Sequence, residues 1–180
     1  MVSSESQFRQ NYSSLIKKFR NHAKSEGTFY LPNPIVPKER ADYILIGMEP
    51  SFGRWAKGKN PVERSKVAQG FLNKGFKNFA FTIEDFIMHY CTRTYLCSES
   101  ETYYVTDLSK GAMLTKDAGK NRSTRYLSWY PLLLDEIKSI SKKRVKLIAL
   151  GKSVYDFLMK QKCRVKTGCN LYYVPHYSNQ

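Results

Sequence analysis

No stretch of this 180-residue chain approaches the roughly 20 apolar residues that a membrane-spanning helix needs. The opening residues, Met1 to Gln10, lack the apolar core of a secretory signal. A membrane partner is therefore not expected, and the protein is expected inside the cell, in the cytoplasm or with the nucleoid or nucleus. Cysteine is sparse. Cys91, Cys97, Cys163 and Cys169 form two pairs with five residues between partners, wider than the about two to four of most zinc sites. That spacing predicts no metal and reduced, mostly buried thiols. Internal repeats and low-complexity tracts are absent. Acidic side chains are also in short supply, fifteen against thirty Lys and Arg.

The resulting formal charge of +15 exceeds what solubility needs and attracts a polyanion, so nucleic acid is the leading partner. A solvated basic surface is the plainer reading of the same charge. Thirteen Tyr and ten Phe supply flat faces on which bases stack, although most must also fill the core. With 42% hydrophobic content the length suits one domain, residues 1–180, opened by a helix and a Pro-rich connection over residues 1–40. A monomer is expected.

Residues Ser6 to Ser25 place Phe8, Tyr12, Leu15, Ile16 and Phe19 at helical spacing. Pro32, Pro34 and Pro37 exclude a helix over Gly27 to Arg40. The basic stretch from Gly53 to about Lys77 reads as a long loop able to close over a phosphate backbone. Thr82 to Leu96 reads as a helix capped by Thr82, with Phe86, Ile87 and Tyr90 on its apolar side. Thr102 to Leu108 is a strand, Lys116 to Arg125 a basic loop, and Ser128 to Ile140 a helix with Pro131 in its first turn and Leu133, Leu134 and Ile137 inward. Val145 to Leu150 is a strand leading through Gly151 into the helix Ser153 to Lys160, and Leu171 to Val174 is the last strand. The alternation predicts an α/β fold of three layers, with a mostly parallel central sheet of about four strands covered on both faces.

In such sheets ligands bind outside the carboxyl ends of the strands. Four polar residues fall there. Glu49 follows the run Asp42-Tyr43-Ile44-Leu45-Ile46 in the turn Gly47-Met48-Glu49-Pro50-Ser51-Phe52-Gly53, Asp107 ends the strand Tyr104-Val105-Thr106-Asp107, and His176 and Ser178 follow Tyr172-Tyr173-Val174-Pro175.

Taken in order, these loops resemble those of the uracil-DNA glycosylase superfamily. Gly47-Met48-Glu49-Pro50-Ser51-Phe52-Gly53 is similar to the family's water-activating loop, with Glu49 where members carry Asp or Asn. Asp107 falls where members usually carry the Asn that reads the base. Leu147-Ile148-Ala149-Leu150-Gly151-Lys152-Ser153 is similar to another shared segment, and Val174-Pro175-His176-Tyr177-Ser178 to the closing His-x-Ser loop. The resemblance implies a three-layer α/β/α fold that flips a nucleotide from single- or double-stranded DNA and hydrolyses its N-glycosidic bond without metal or other cofactor. Under it Glu49 orients water and favours the cationic sugar, and His176 holds the charge of the departing base. Asp107, Phe79 and Met48 contact the base. Ser51, Ser178, Arg54, Lys57 and Lys110 hold phosphates.

Two departures matter. Ionised Asp107 only accepts hydrogen bonds, so either it is held protonated or the base is one that offers an amino group. Lys110 is followed by Gly111 where iron–sulfur members have Cys, so no cluster is expected. The sequence also ends soon after Ser178, where members usually continue through a DNA-inserting loop and a last helix. The same residues admit two other readings: a nucleic-acid-binding protein without hydrolysis, and an enzyme acting on free nucleosides or nucleotides.

Overall fold

Residues covered on both faces of a parallel sheet have no reason to alternate with polar ones, and the unbroken string Tyr43-Ile44-Leu45-Ile46 is such a strand. A computed structural model describes residues 4–31, 39–50, 58–74 and 83–176. In chain order its elements are α1 (Ser4–Ser25), β1 (Phe29–Tyr30), β2 (Ala41–Gly47), α2 (Pro61–Lys74), α3 (Ile83–Cys91) with a π-helical turn Thr92–Leu96, β3 (Tyr103–Asp107), β4 (Gly111–Ala112), α4 (Thr115–Ala118), α5 (Arg122–Ile140), β5 (Ser141–Leu150), α6 (Lys152–Lys160), α7 (Cys163–Thr167) and β6 (Asn170–Val174).

Four strands form one sheet in the order β3-β2-β5-β6, and every pairing in it is parallel. The fold is therefore α/β with helices flanking a parallel four-strand sheet, as the alternation predicts. The chain first builds outward from β2 to β3 and then returns to the other side of β2 to add β5 and β6. That reversal makes the carboxyl ends of β2 and β5 a topological switch point, where ligands bind in sheets of this kind.

One face of the sheet carries the larger core. Ile44, Ile46, Tyr104 and Leu147 meet Phe8, Leu15 and Phe19 of α1, and Trp129, Leu133 and Ile137 of α5, all in one cluster with Val154 and Leu158 of α6. The other face buries Tyr43, Leu45, Val105 and Ile148 with Met88 of α3 and Cys97. The helical spacing read for α1 is thus the spacing of its buried face.

Several expectations are corrected. The long basic loop contains α2, which Asn60 and Glu63 cap reciprocally: Glu63 N donates to Asn60 Oδ1 at 3.0 Å, and Asn60 N to Glu63 Oε2 at 2.8 Å. Asn-Pro-x-Glu is a capping box with proline at the first helical position. The stretch Lys116 to Arg125 is most of α4, a three-residue turn and the start of α5 rather than one loop, and Pro131 lies inside α5; it is exposed there. Phe86, Ile87 and Tyr90 are not inward. They are 55%, 46% and 53% exposed, and Met88 is the residue of α3 that enters the core. Thr82, its expected cap, and the three prolines 32, 34 and 37 lie outside the described residues. Beyond these, β1 and β4 pair antiparallel as a two-strand ribbon too short to leave a periodic signal.

Of the four cysteines, Cys97 and Cys163 are buried, Cys91 is exposed and Cys169 is intermediate, all as free thiols. No described helix is long and apolar enough to cross a membrane.

Candidate functional site

The loop that follows β2 is stitched to the loop that follows β3: Leu108 N donates to Gly47 O at 2.9 Å, and Ser109 N to Met48 O at 3.1 Å. Glu49 therefore leaves the sheet at a fixed place. Its side chain, only 5% exposed, turns to the first turns of α5. Arg122 Nη2 donates to Oε1 at 2.7 Å, the Tyr126 hydroxyl donates to Oε2, and Arg125 Nη2 lies 3.5 Å from Oε2. Arg122, Arg125 and Tyr126 sit at helical spacings of three and four, so one face of α5 presents all three. Burial works against the charge on Arg122, and the hydrogen bond and field of Glu49 outweigh it, raising its pKa. Burial and Glu49 together raise that of Tyr126. Met48, beside Glu49, packs partly buried against the larger core.

Asp107 closes β3 opposite Gly47, and strand alternation puts its side chain on the face that carries Leu45 and Val105. A Cβ on Gly47 would stand 2.5 Å from Asp107 Oδ1. Only glycine admits the carboxyl at that place. Burial pushes the Asp107 pKa up to about 7 against the pull of the Lys110 ammonium, and the negative charges of Glu49 and Glu136 act in the same direction as burial. At neutral pH the carboxyl is then about half protonated, able to donate as well as accept.

This shift has a measurable consequence. Between about pH 4 and pH 7 the folded protein keeps a proton that the unfolded chain has released, so this group's contribution to stability falls as pH rises and levels off above about pH 7. Chemical denaturation at pH 5 and pH 8 should show that decline, and Asp107→Asn should remove it. An equal decline in both proteins would assign it elsewhere.

Lys110 is not a phosphate contact. Its side chain is 2% exposed and its Nζ lies 2.8 Å from Glu136 Oε2; it also donates to Asp107 O at 2.6 Å and to Thr106 Oγ1. A buried ammonium requires such partners. Glu136 in turn accepts from the Tyr104 hydroxyl at 2.8 Å and from Thr106 Oγ1 at 2.9 Å.

His176 follows β6 at the same carboxyl edge, partly buried. Gly151 N donates to Val174 O at 2.9 Å, and a Cβ on Gly151 would lie 3.5 Å from His176 Cβ and 3.7 Å from its Cδ2. Gly151, with φ +95°, thus provides both the turn into α6 and the surface on which His176 rests. Glu49, Asp107 and His176 share one edge. Because β5 separates β2 from β6, the strands carrying Glu49 and His176 lie about 10 Å apart at the usual strand spacing.

Phe79, Ser51, Ser178, Arg54 and Lys57 lie outside the described residues. Sequence reading overlooked Arg122, Arg125, Tyr126 and Glu136. Glu136 had a signal, since it interrupts the inward stripe Trp129, Leu133, Ile137 and Ile140 of α5 as its one acid. Among the described residues no group of three or more His, Cys, Asp or Glu is arranged to hold a metal ion. Comparison of the whole chain with protein-family models and with curated proteins finds no match.

Proposed function

We propose that the protein is a base-excision enzyme of the uracil-DNA glycosylase type, acting inside the cell on a damaged or deaminated base flipped out of DNA. The observation that supports this reading is the placement of Glu49, Asp107 and His176 at the carboxyl ends of three parallel strands, at and beside the switch point. The net charge of +15 supplies attraction for the phosphate backbone.

In the proposed reaction a water oxygen bonds to the sugar carbon as the bond from that carbon to the base nitrogen breaks. The electron pair leaves with the base. Glu49 orients the water and offsets the positive charge on the sugar, and the water's proton passes to Glu49 or solvent. His176 hydrogen-bonds the departing base and holds its developing charge. Protonated Asp107 donates to a carbonyl oxygen and accepts from a ring N–H, as an amide does; ionised, it prefers an exocyclic amino group.

The second reading, a nucleic-acid-binding protein without hydrolysis, is favoured by the occupancy of Glu49. Arg122 and Tyr126 already occupy two of the about four lone-pair sites of the carboxylate, and the Arg125 guanidinium lies 3.5 Å from it. Incubation with single- and double-stranded oligonucleotides carrying uracil, hypoxanthine, xanthine or cytosine separates the two. Excision predicts abasic sites that alkali cleaves; tight, salt-sensitive binding without abasic product in any substrate would establish the binder.

A further inference from the structure

A cleft of about 530 Å³ lies between the β1–β4 ribbon, α2 and the α4–α5 corner. We infer that this cleft binds a nucleotide whose base carries an exocyclic amino group. The inference does not depend on base excision: the cleft shares Arg125 with the Glu49 cluster, but neither Glu49, Asp107 nor His176 lines it.

The lining is amphoteric. Arg64, Lys120 and Arg125 supply cations, Glu26 and Asp117 supply acids, and Phe29, Met113 and Leu114 supply apolar surface. A purely anionic ligand would meet the two carboxylates, and a purely apolar one would strand the charges. A nucleotide meets all three demands, with a phosphate for the cations, a flat ring for the apolar wall and a ring edge that donates to a carboxylate. The volume falls within the range of about 300–1,000 Å³ typical of small-molecule sites.

The cations are held in place. Arg125, 8% exposed, donates through Nη2 to Ala118 O at 2.7 Å and through Nη1 to Lys120 O at 3.0 Å. Its Nε is buried and has no hydrogen-bond partner among the described residues. Arg64 is steadied by Nε donating to Lys59 O at 2.9 Å. Asn121, with left-handed φ of 49°, turns the chain into α5 where Thr124 and Ser128 complete the wall.

The cleft has a built-in reporter. Glu26 accepts from Trp129 Nε1 at 2.6 Å, and the chain's two tryptophans are Trp55 and Trp129. In a Trp55→Phe protein the emission reports Trp129 alone. Deoxyadenosine monophosphate, thymidine monophosphate, inorganic phosphate and an oligo-deoxyadenosine pentamer are titrated in turn, followed by that emission and by calorimetry. The expected result is saturable binding of the adenine nucleotide, at least 5-fold tighter than the thymine nucleotide. Charge reversal of Arg64→Glu with Lys120→Glu should weaken it 10-fold or more; Lys120 is 76% exposed, so its reversal leaves the fold intact. A pentamer binding much tighter, with a steep salt dependence, assigns the nucleotide to a strand, and equal affinities assign it to a free nucleotide. No heat and no emission change at millimolar nucleotide, phosphate alone reproducing the affinity, or binding unmoved by charge reversal would each overturn the inference.

Discussion

Glu136→Ala should lose about 3–5 kcal/mol of folding stability, because removing one partner of a buried ion pair leaves the other charge uncompensated. Glu136 is fully buried and Lys110 nearly so. The glutamate also accepts from Tyr104 and Thr106, and Tyr104 shares its hydroxyl with Tyr12 at 3.1 Å. Deleting the carboxylate therefore strands an ammonium and two hydroxyls together. Lys110→Met should be similarly harmful, since it leaves Glu136 buried without its cation. The double replacement Lys110→Met with Glu136→Leu should recover much of the loss, as two apolar groups of similar volume do not need each other. Denaturation curves of the three variants measure the coupling. Additive losses, or single losses below about 1 kcal/mol, would mean that the pair is better solvated than its burial indicates.

The second large effect concerns activity. On the proposed base-excision reading, Glu49→Gln should lower excision under single-turnover conditions about 100- to 1,000-fold, the scale at which removing one preorganised electrostatic group acts on a transition state. The amide keeps a carbonyl to accept from Arg122 or Tyr126, so most of the fold's stability should survive. Glu49→Ala should lose both, because Arg125 is buried against the carboxylate and would face an empty place. The contrast between the two variants separates chemistry from packing. DNA affinity should hold in Glu49→Gln, since the carboxylate neutralises protein cations rather than contacting phosphate. Unchanged excision in that variant would remove Glu49 from the mechanism and leave it as the anchor of α5.

The sheet was legible because parallel strands advertise themselves as apolar runs, and β2, β3, β5 and β6 all fall where such runs end in turns. The edge residues Glu49, Asp107 and His176 were legible for the same reason: the residue after a strand is fixed once the strand is. What escaped depended on partners far along the chain. Nothing local announces that Lys110 faces Glu136 rather than water, or that Arg122 and Arg125 extend α5 backward by meeting Glu49, 73 residues away from Arg122. A basic run suggests a solvated loop, whereas here a buried carboxylate draws its last residues into a helix. For α2 the Asn60-Pro61-Val62-Glu63 cap was present in the sequence and was outweighed by the surrounding lysines and arginines. In α3 the apolar residues Phe86, Ile87 and Tyr90 do not share the direction of Met88, which shows that apolar content alone does not say which way a short helix turns.

The central position of β2 also governs the order of assembly. Tyr43 and Lys146 end up side by side although 103 residues separate them. On a ribosome this apolar segment is made long before β5, so although β3 can cover one of its edges earlier, the other edge waits while more than half the chain is synthesised. High contact order of this kind slows spontaneous folding, and the interval before β5 arrives is the time in which a nascent chain most needs a chaperone's cover.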